Sequence, residues 1–247
     1  MPSAKHSILS TKPLSREQVQ HAATQGIVVS EQAFIEIRPA LTEEGIRRCR
    51  EIFRNGGVTI VFTSPNAVKI VAEIPDKGAP SQQDNTAEEN HRIYCIQGAT
   101  RDAVETLLPQ ARIAGTAAHS KALAKLMLED KAVTSVVFFC GDIRRNELPD
   151  MLRSHQHKVE EIIVYKTLEM PVKLTATYDG ILFYSPSSVR SFFSANTLPA
   201  HTTCFAIGHT TGAALQAATG NKVVISPEPA VDTLLQTVIL YFDNINC

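Results

Sequence analysis

IVFTSPNAVK at residues 60–69 and ILFYSPSSVR at residues 181–190 are the two stretches that decide the fold. Each is an apolar run, a Ser-Pro pair and then a helical pattern. Ser64 and Ser185 stand where N-cap serines stand, and Pro65 and Pro186 take the first helical position, where proline forfeits no helix bond. A strand ending at a capped helix start aims backbone N–H groups at an anion. Two such units in one chain predict two similar lobes facing one ligand.

The match extends outward on both sides, in the same order. The first piece is strand–helix–strand: ILST at 8–11, Lys12-Pro13, a helix from about Arg16, then IVV at 27–29 and FIEI at 34–37. Its partner is VVFF at 136–139, Gly141-Asp142, a helix near 147–153, then 159–165. After the Ser-Pro unit, IYCIQGAT at 93–100 matches CFAIGHTT at 204–211. Last, IAGT at 113–116 matches VVISP at 223–227, each before a helix. A fixed order of four pieces is the mark of tandem duplication. Local signals agree. Ser15 and Gln18 form a capping-box pattern, with Gly26 as the stop. Thr42 can cap a helix that Gly56-Gly57 ends. The strands alternate with helices and read as continuous apolar runs, which predicts an α/β fold with parallel sheets flanked by helices on both faces. Residues 75–92 are polar, without apolar period, and read as a surface loop.

Composition narrows the function. With 44% hydrophobic and 20% charged residues the chain has the material for an ordinary core, and a net charge of −1 argues against a broad nucleic-acid or membrane footprint. No run approaches the ~18 apolar residues of a membrane span, and Met1 to Lys12 has no apolar leader core. Five cysteines without a C-x-x-C spacing read as reduced thiols of a cytoplasmic protein. No metal-ligand spacing is present.

Four features taken together carry a resemblance: the strand–SPSSV unit, AIGHTTGAAL at 206–215, GDIRRNELP at 141–149 and VYKT at 164–167. The whole chain resembles the uroporphyrinogen-III synthase family. That implies two flavodoxin-like lobes joined by a two-stranded linker, with residues 1–37 and 171–247 forming one discontinuous lobe and 38–170 the other. The connectors would be Phe34–Arg38 and Tyr165–Met170, equivalent places in the repeat, followed by Pro39 and Pro171. The implied reaction is closure of hydroxymethylbilane, a linear tetrapyrrole polyanion, to uroporphyrinogen III. Water is lost and the last pyrrole is inverted, without metal or organic cofactor. A monomer is implied, with hydroxymethylbilane synthase as the enzyme that could hand the substrate over.

Such a protein must hold a flexible polycarboxylate in one shape and help a hydroxyl depart. Helix starts near Ser64, Thr100, Ser185 and Thr211 would offer N–H groups, each worth about 0.3–1 kcal/mol to an exposed anion. Asn66, Ser187, Ser188 and Thr210 add side-chain donors, and Lys12, Arg101 and Arg144 add charge, with Arg145 and Arg190 as further basic candidates. Tyr165 matches the family tyrosine, and its phenol could act as general acid. Plainer readings stand beside these: Ser64, Ser185 and Thr210/Thr211 as simple caps, Arg144-Arg145 as a solvated turn, Arg190 as a surface charge, and Tyr165 as packing at the connector. Two other functions use the same scaffold. One is an anion-binding protein without chemistry. The other is a nucleotide-sugar transferase, which would want a diphosphate-binding glycine loop that neither Gly56-Gly57 nor Gly141-Asp142 supplies.

Overall fold

The computed structural model describes residues 5–55, 57–74 and 91–245. The loop reading at 75–92 therefore lies outside the described residues except at its end, where His91 is buried and a strand already begins at Arg92. Gly56 and Cys247 lie outside them too.

The elements run in chain order as β1 (His6–Ser10), α1 (Arg16–Thr24), β2 (Ile27–Glu31), β3 (Ile35–Pro39), α2 (Glu43–Asn55), β4 (Thr59–Phe62) and α3 (Pro65–Ala72). Next come β5 (Arg92–Ile96), α4 (Ala99–Leu107), β6 (Arg112–Ala117), α5 (Ser120–Glu129), β7 (Ser135–Gly141), α6 (Glu147–Ser154) and β8 (Lys158–Glu169). The chain closes with β9 (Gly180–Phe183), α7 (Pro186–Phe193), β10 (Thr203–Ala206), α8 (His209–Ala218), β11 (Val223–Ile225) and α9 (Val231–Ile245). They make two compact units: Met1–Glu36 with Leu168–Cys247, and Ile37–Thr167. The chain passes from one unit to the other within β3 and within β8.

The discontinuous unit holds a five-stranded sheet in the order β11-β10-β9-β1-β2, every neighbouring pair parallel. Counted along its own chain, that is the flavodoxin order 2-1-3-4-5. The continuous unit holds the order β3-β8-β7-β4-β5-β6. Without the edge strand β3, the parallel set β8-β7-β4-β5-β6 is the same pattern, because β7 and β8 are the repeat equivalents of β1 and β2. Each sheet thus combines the strand–helix–strand piece of one repeat with the three later strands of the other.

The strand sequences explain why helices cover both faces. Alternate residues of β7 feed different cores: Val137 and Phe139 pack with α2, α3 and α4, while Val136, Phe138 and Cys140 pack with α5 and α6. In the other unit Ile8 and Leu182 meet α1 and α9, whereas Leu9, Ile181 and Phe183 meet α7 and α8. All four residues of β4, of β9 and of β10 are buried, which a half-solvated antiparallel sheet would not need. Cys49, Cys95, Cys140 and Cys204 sit in these cores as free thiols, and burial pushes Cys204 up to about 12. Among the described residues, no helix is long and apolar enough to cross a membrane.

Helix ends follow local chemistry. Ser15 and Gln18 complete a reciprocal capping box on α1, and Gly26 takes a positive φ of 76° just past the C-cap. The Thr42 hydroxyl accepts from the Gly45 N–H at 3.1 Å at the start of α2. The threonines read as caps are placed differently. The N-caps of α4 and α8 are Gly98 and Gly208, neither with a side-chain cap bond, so Thr100, Thr210 and Thr211 lie within the first turn of their helices. A glycine N-cap leaves the first N–H groups without an internal acceptor, at a cost of only a few tenths of a kcal/mol against serine.

Candidate active site

In each parallel sheet the helix starts collect at the carboxyl edge. The crevice forms where neighbouring strands send their helices to opposite faces. In the continuous unit that point lies between β4 and β7, because α3 packs on one face and α6 on the other. In the discontinuous unit it lies between β9 and β1, with α7 and α1 on opposite faces. The residues at or just beyond these strand ends are Ser64 and Gly141-Asp142 in one unit, and Ser185 with Thr11 and Lys12 in the other.

At the first crevice Ser64 caps α3, its Oγ accepting from the Asn66 N–H at 3.2 Å. The same oxygen accepts a second bond, 3.0 Å, from the hydroxyl of Tyr165 on β8. With two donors already aimed at it, Ser64 Oγ directs its own proton elsewhere. Tyr165 is 7% exposed, and burial raises its phenol above the ordinary value, with the Ser64 bond working in the opposite direction. The hydroxyl therefore keeps its proton through the neutral range.

At the second crevice Ser185 caps α7 in a capping box with Ser188, the two hydroxyls 3.3 Å apart. No phenol reaches Ser185 among the bonds of the described residues. The repeat equivalent of Tyr165 is Phe34, fully buried against Phe192. A tyrosine does stand beside this serine, but it points to β1: Tyr184 Oη and Ser10 Oγ are 2.9 Å apart, and Lys12 Nζ lies 4.4 Å from the Tyr184 ring centre. Burial pushes the Tyr184 phenol up to about 12. Sequence reasoning passed over Tyr184, although its place directly before the Ser-Pro pair was a readable signal.

The other candidates divide into those at a crevice edge and those committed elsewhere. Ser187 and Ser188 are buried in the first turn of α7. Arg190 reaches back to Ser187 Oγ at 3.3 Å and to Glu169 at 3.0 Å. Thr210 is exposed in the first turn of α8 and Thr211 buried. Thr100 is buried in α4, and Arg101 pairs with Glu105 one turn on, at 2.8 Å. Arg144 is bound to Glu161, which also accepts from Arg153 at 2.8 Å, so two guanidiniums share one carboxylate and the cluster keeps a formal positive charge. Two residues before Arg144, the Asp142 carboxylate accepts from the Thr167 N–H of β8 at 2.9 Å.

Two predictions arise here. Burial works to raise the Glu161 carboxyl, but hydrogen bonds and charge from Arg153 and Arg144 outweigh it and hold the group below the usual carboxylate range. A folded value below the unfolded one stabilises the fold above about pH 4.3, and that stabilisation is lost as pH falls through the folded value. Glu161→Gln is expected to lower stability at neutral pH and to flatten its fall on the acid side; urea midpoints measured from pH 3 to 7 check this. Ser185→Ala removes the α7 capping box and is expected to cost about 1 kcal/mol, read as a shifted denaturation midpoint.

Two crevices at switch points, capped by serine and edged with hydroxyls and backbone N–H groups, define a duplicated α/β protein suited to a polyanionic ligand and to proton donation. A family model described as "Uroporphyrinogen-III synthase HemD" matches residues 17–236. The chain belongs to that family of tetrapyrrole-forming lyases. It is similar to the uroporphyrinogen-III synthase of Saccharomyces cerevisiae, 24% identical over 208 residues, which cover 74% of this chain and 75% of the yeast protein. In structure it resembles a mutant uroporphyrinogen III synthase of Thermus thermophilus, with a TM-score of 0.65, 13% identity and 98% and 99% of the two chains covered. It also resembles the Helicobacter pylori enzyme, with a TM-score of 0.63, 16% identity and 96% and 99% covered. At these identities the structures speak for the fold.

Proposed function

We propose that this chain closes hydroxymethylbilane to uroporphyrinogen III, and that Tyr165 and Ser64 together supply the proton that lets the substrate hydroxyl leave. The observation that carries this reading is the 3.0 Å bond from the Tyr165 hydroxyl to Ser64 Oγ at the β4–β7 crevice. Ser64 gives its proton to the departing oxygen while Tyr165 refills it. The C–O bond breaks with its electron pair on oxygen, which leaves as water, and the pyrrole nitrogen supplies the electrons that form the azafulvene. Attack from the substituted carbon of the last pyrrole gives a spiro centre. Its fragmentation and reclosure invert that ring, and the proton shed on final closure restores the pair.

The remaining task is orientation, for which a positioned reactant gains several kcal/mol over a floppy one. Each unit offers its own carboxylate-holding edge. The α3 start with Asn66 serves in one; the α7 start with Ser187 and Ser188, and the glycine-capped α8 start with Thr210, serve in the other. The proposal extends to a cytoplasmic, monomeric enzyme working without cofactor, supplied by hydroxymethylbilane synthase. Mixing the protein with freshly generated hydroxymethylbilane and separating the I and III isomers tests the activity. Isomer III in excess of the spontaneous isomer I is the expected result. Substrate retained with only isomer I formed would make this an anion-binding protein instead.

A further inference from the structure

The Tyr165 phenol is held by more than Ser64. Its ring lies against Gly141 at the end of β7. A Cβ added to Gly141 would meet the ring carbons Cε2 and Cζ at 2.5 Å and the hydroxyl oxygen at 2.8 Å. Gly141 is not among the positive-φ residues, so the backbone there suits any residue. Only the ring demands glycine.

The same place breaks the regular ladder. Cys140 pairs with Ile163, but Gly141 pairs with Tyr165, leaving Val164 as an extra residue in β8. Alternation breaks with it: Ile163 is exposed, while Val164 and Tyr165 are consecutive buried residues. A one-residue slip of this kind re-aims the side chain that follows it. Asp142 then pins the slipped strand. Its backbone N–H donates to the Tyr165 carbonyl at 3.0 Å. Its Oδ1 accepts from the Thr167 N–H at 2.9 Å and from the Ile143 N–H at 2.8 Å.

We infer that the Gly141-Asp142 turn is a positioning device for the Tyr165 hydroxyl, setting the phenol on Ser64 through the close approach at Gly141 and the Asp142 bond to Thr167. The inference rests on the acid role of the Tyr165–Ser64 pair. The turn governs how fast the proton arrives, and substrate affinity is left to the helix starts. An alanine at 141 must push the ring away by several tenths of an ångström, and displacements on that scale are costly where a reacting geometry is set.

The test is a set of variants assayed with fresh hydroxymethylbilane, with isomer III resolved and folding followed by thermal melting. Gly141→Ala is expected to lower kcat about tenfold or more with KM within about twofold. Asp142→Ala is expected to act in the same direction, while Asp142→Asn, which keeps the acceptor oxygen, restores turnover. In a Tyr165→Phe background Gly141→Ala is expected to cause no further loss, because the group it misplaces is gone. A folded Gly141→Ala enzyme with unchanged kcat overturns the inference. So does an equal loss with and without the phenol hydroxyl, which marks a general structural defect. If Gly141→Ala fails to fold, the Asp142→Ala and Asp142→Asn pair decides in the same way. An unimpaired Tyr165→Phe enzyme instead overturns the acid reading on its own.

Discussion

Tyr165→Phe is expected to slow formation of uroporphyrinogen III by roughly 10²-fold, the low end of what a positioned general acid contributes. The loss stays at that end for two reasons. The pyrrole nitrogen already pushes out the leaving hydroxyl, and Ser64 keeps its own proton when the phenol is gone. The variant loses only the 3.0 Å bond to Ser64, the one proposed to replenish its proton. The ring is retained, so the close packing on Gly141 survives and the fold should be undisturbed. KM should change little, because a phenol that is 7% exposed offers little surface to the substrate. The effect should be constant from about pH 6 to 9, since burial holds the wild-type phenol above its ordinary value near 10. Isomer-resolved rates across that range are the measurement, and turnover within twofold of wild type would remove Tyr165 from proton delivery.

Phe139→Ala is expected to cost about 3–5 kcal/mol, the usual range for deleting a phenylalanine from a core that cannot collapse around the gap. Phe139 is fully buried in the middle of β7. Its ring stacks on Phe62, its register partner on β4, at 5.5 Å and on Phe53 of α2 at 6.1 Å. It therefore ties the strands flanking the crevice to the helix laid across them. Urea denaturation of wild type and variant measures the loss. A cost below about 1 kcal/mol would show that neighbouring side chains refill the space. The expected collateral effect is on turnover, because Phe62 is two residues from Ser64.

The parts of the fold legible in the chain are those written in local chemistry. Ser64-Pro65 and Ser185-Pro186 name their own structure: the serine hydroxyl must take a helix N–H, and the proline must sit where no N–H is needed. The continuous apolar runs of β4, β9 and β10 announce strands buried on both faces. The starts of α4 and α8 were harder to read. Thr210 and Thr211 look like caps, but Gly208 holds the N-cap place of α8; in α4 Gly98 holds it with a φ of 72° that threonine cannot reach cheaply. Which pieces share a sheet is not in the repeat at all. Ile8, Ile181 and Ile60 are interchangeable in pattern, and only pairing in three dimensions puts β1 beside β9 and β7 beside β4. The Tyr165–Ser64 pair was half visible. Tyr165 and Ser64 stood out singly, while their contact spans 101 positions. The commitment of Arg144 to Glu161 and the glycine demanded at 141 both depend on a neighbouring strand, so no window of sequence displays them.

The exchange of strands between repeats also sets a timetable for synthesis. Thr11 on the tail of β1 donates its hydroxyl proton to the carbonyl of Leu182, 171 positions later. Until that segment leaves the ribosome, β1 has no β9 to pair with, and neither α7 nor α9 is present to cover the sheet. At about 5–20 residues per second the wait is on the order of ten seconds or more. The strands of the continuous unit, β3 to β8, all precede β9 in the chain and leave the ribosome before it. The newborn chain therefore carries every strand of the continuous unit before β1 can meet β9. Its exposed β1 edge is the place where a chaperone would earn its keep and where a premature stop would leave an aggregation-prone strand.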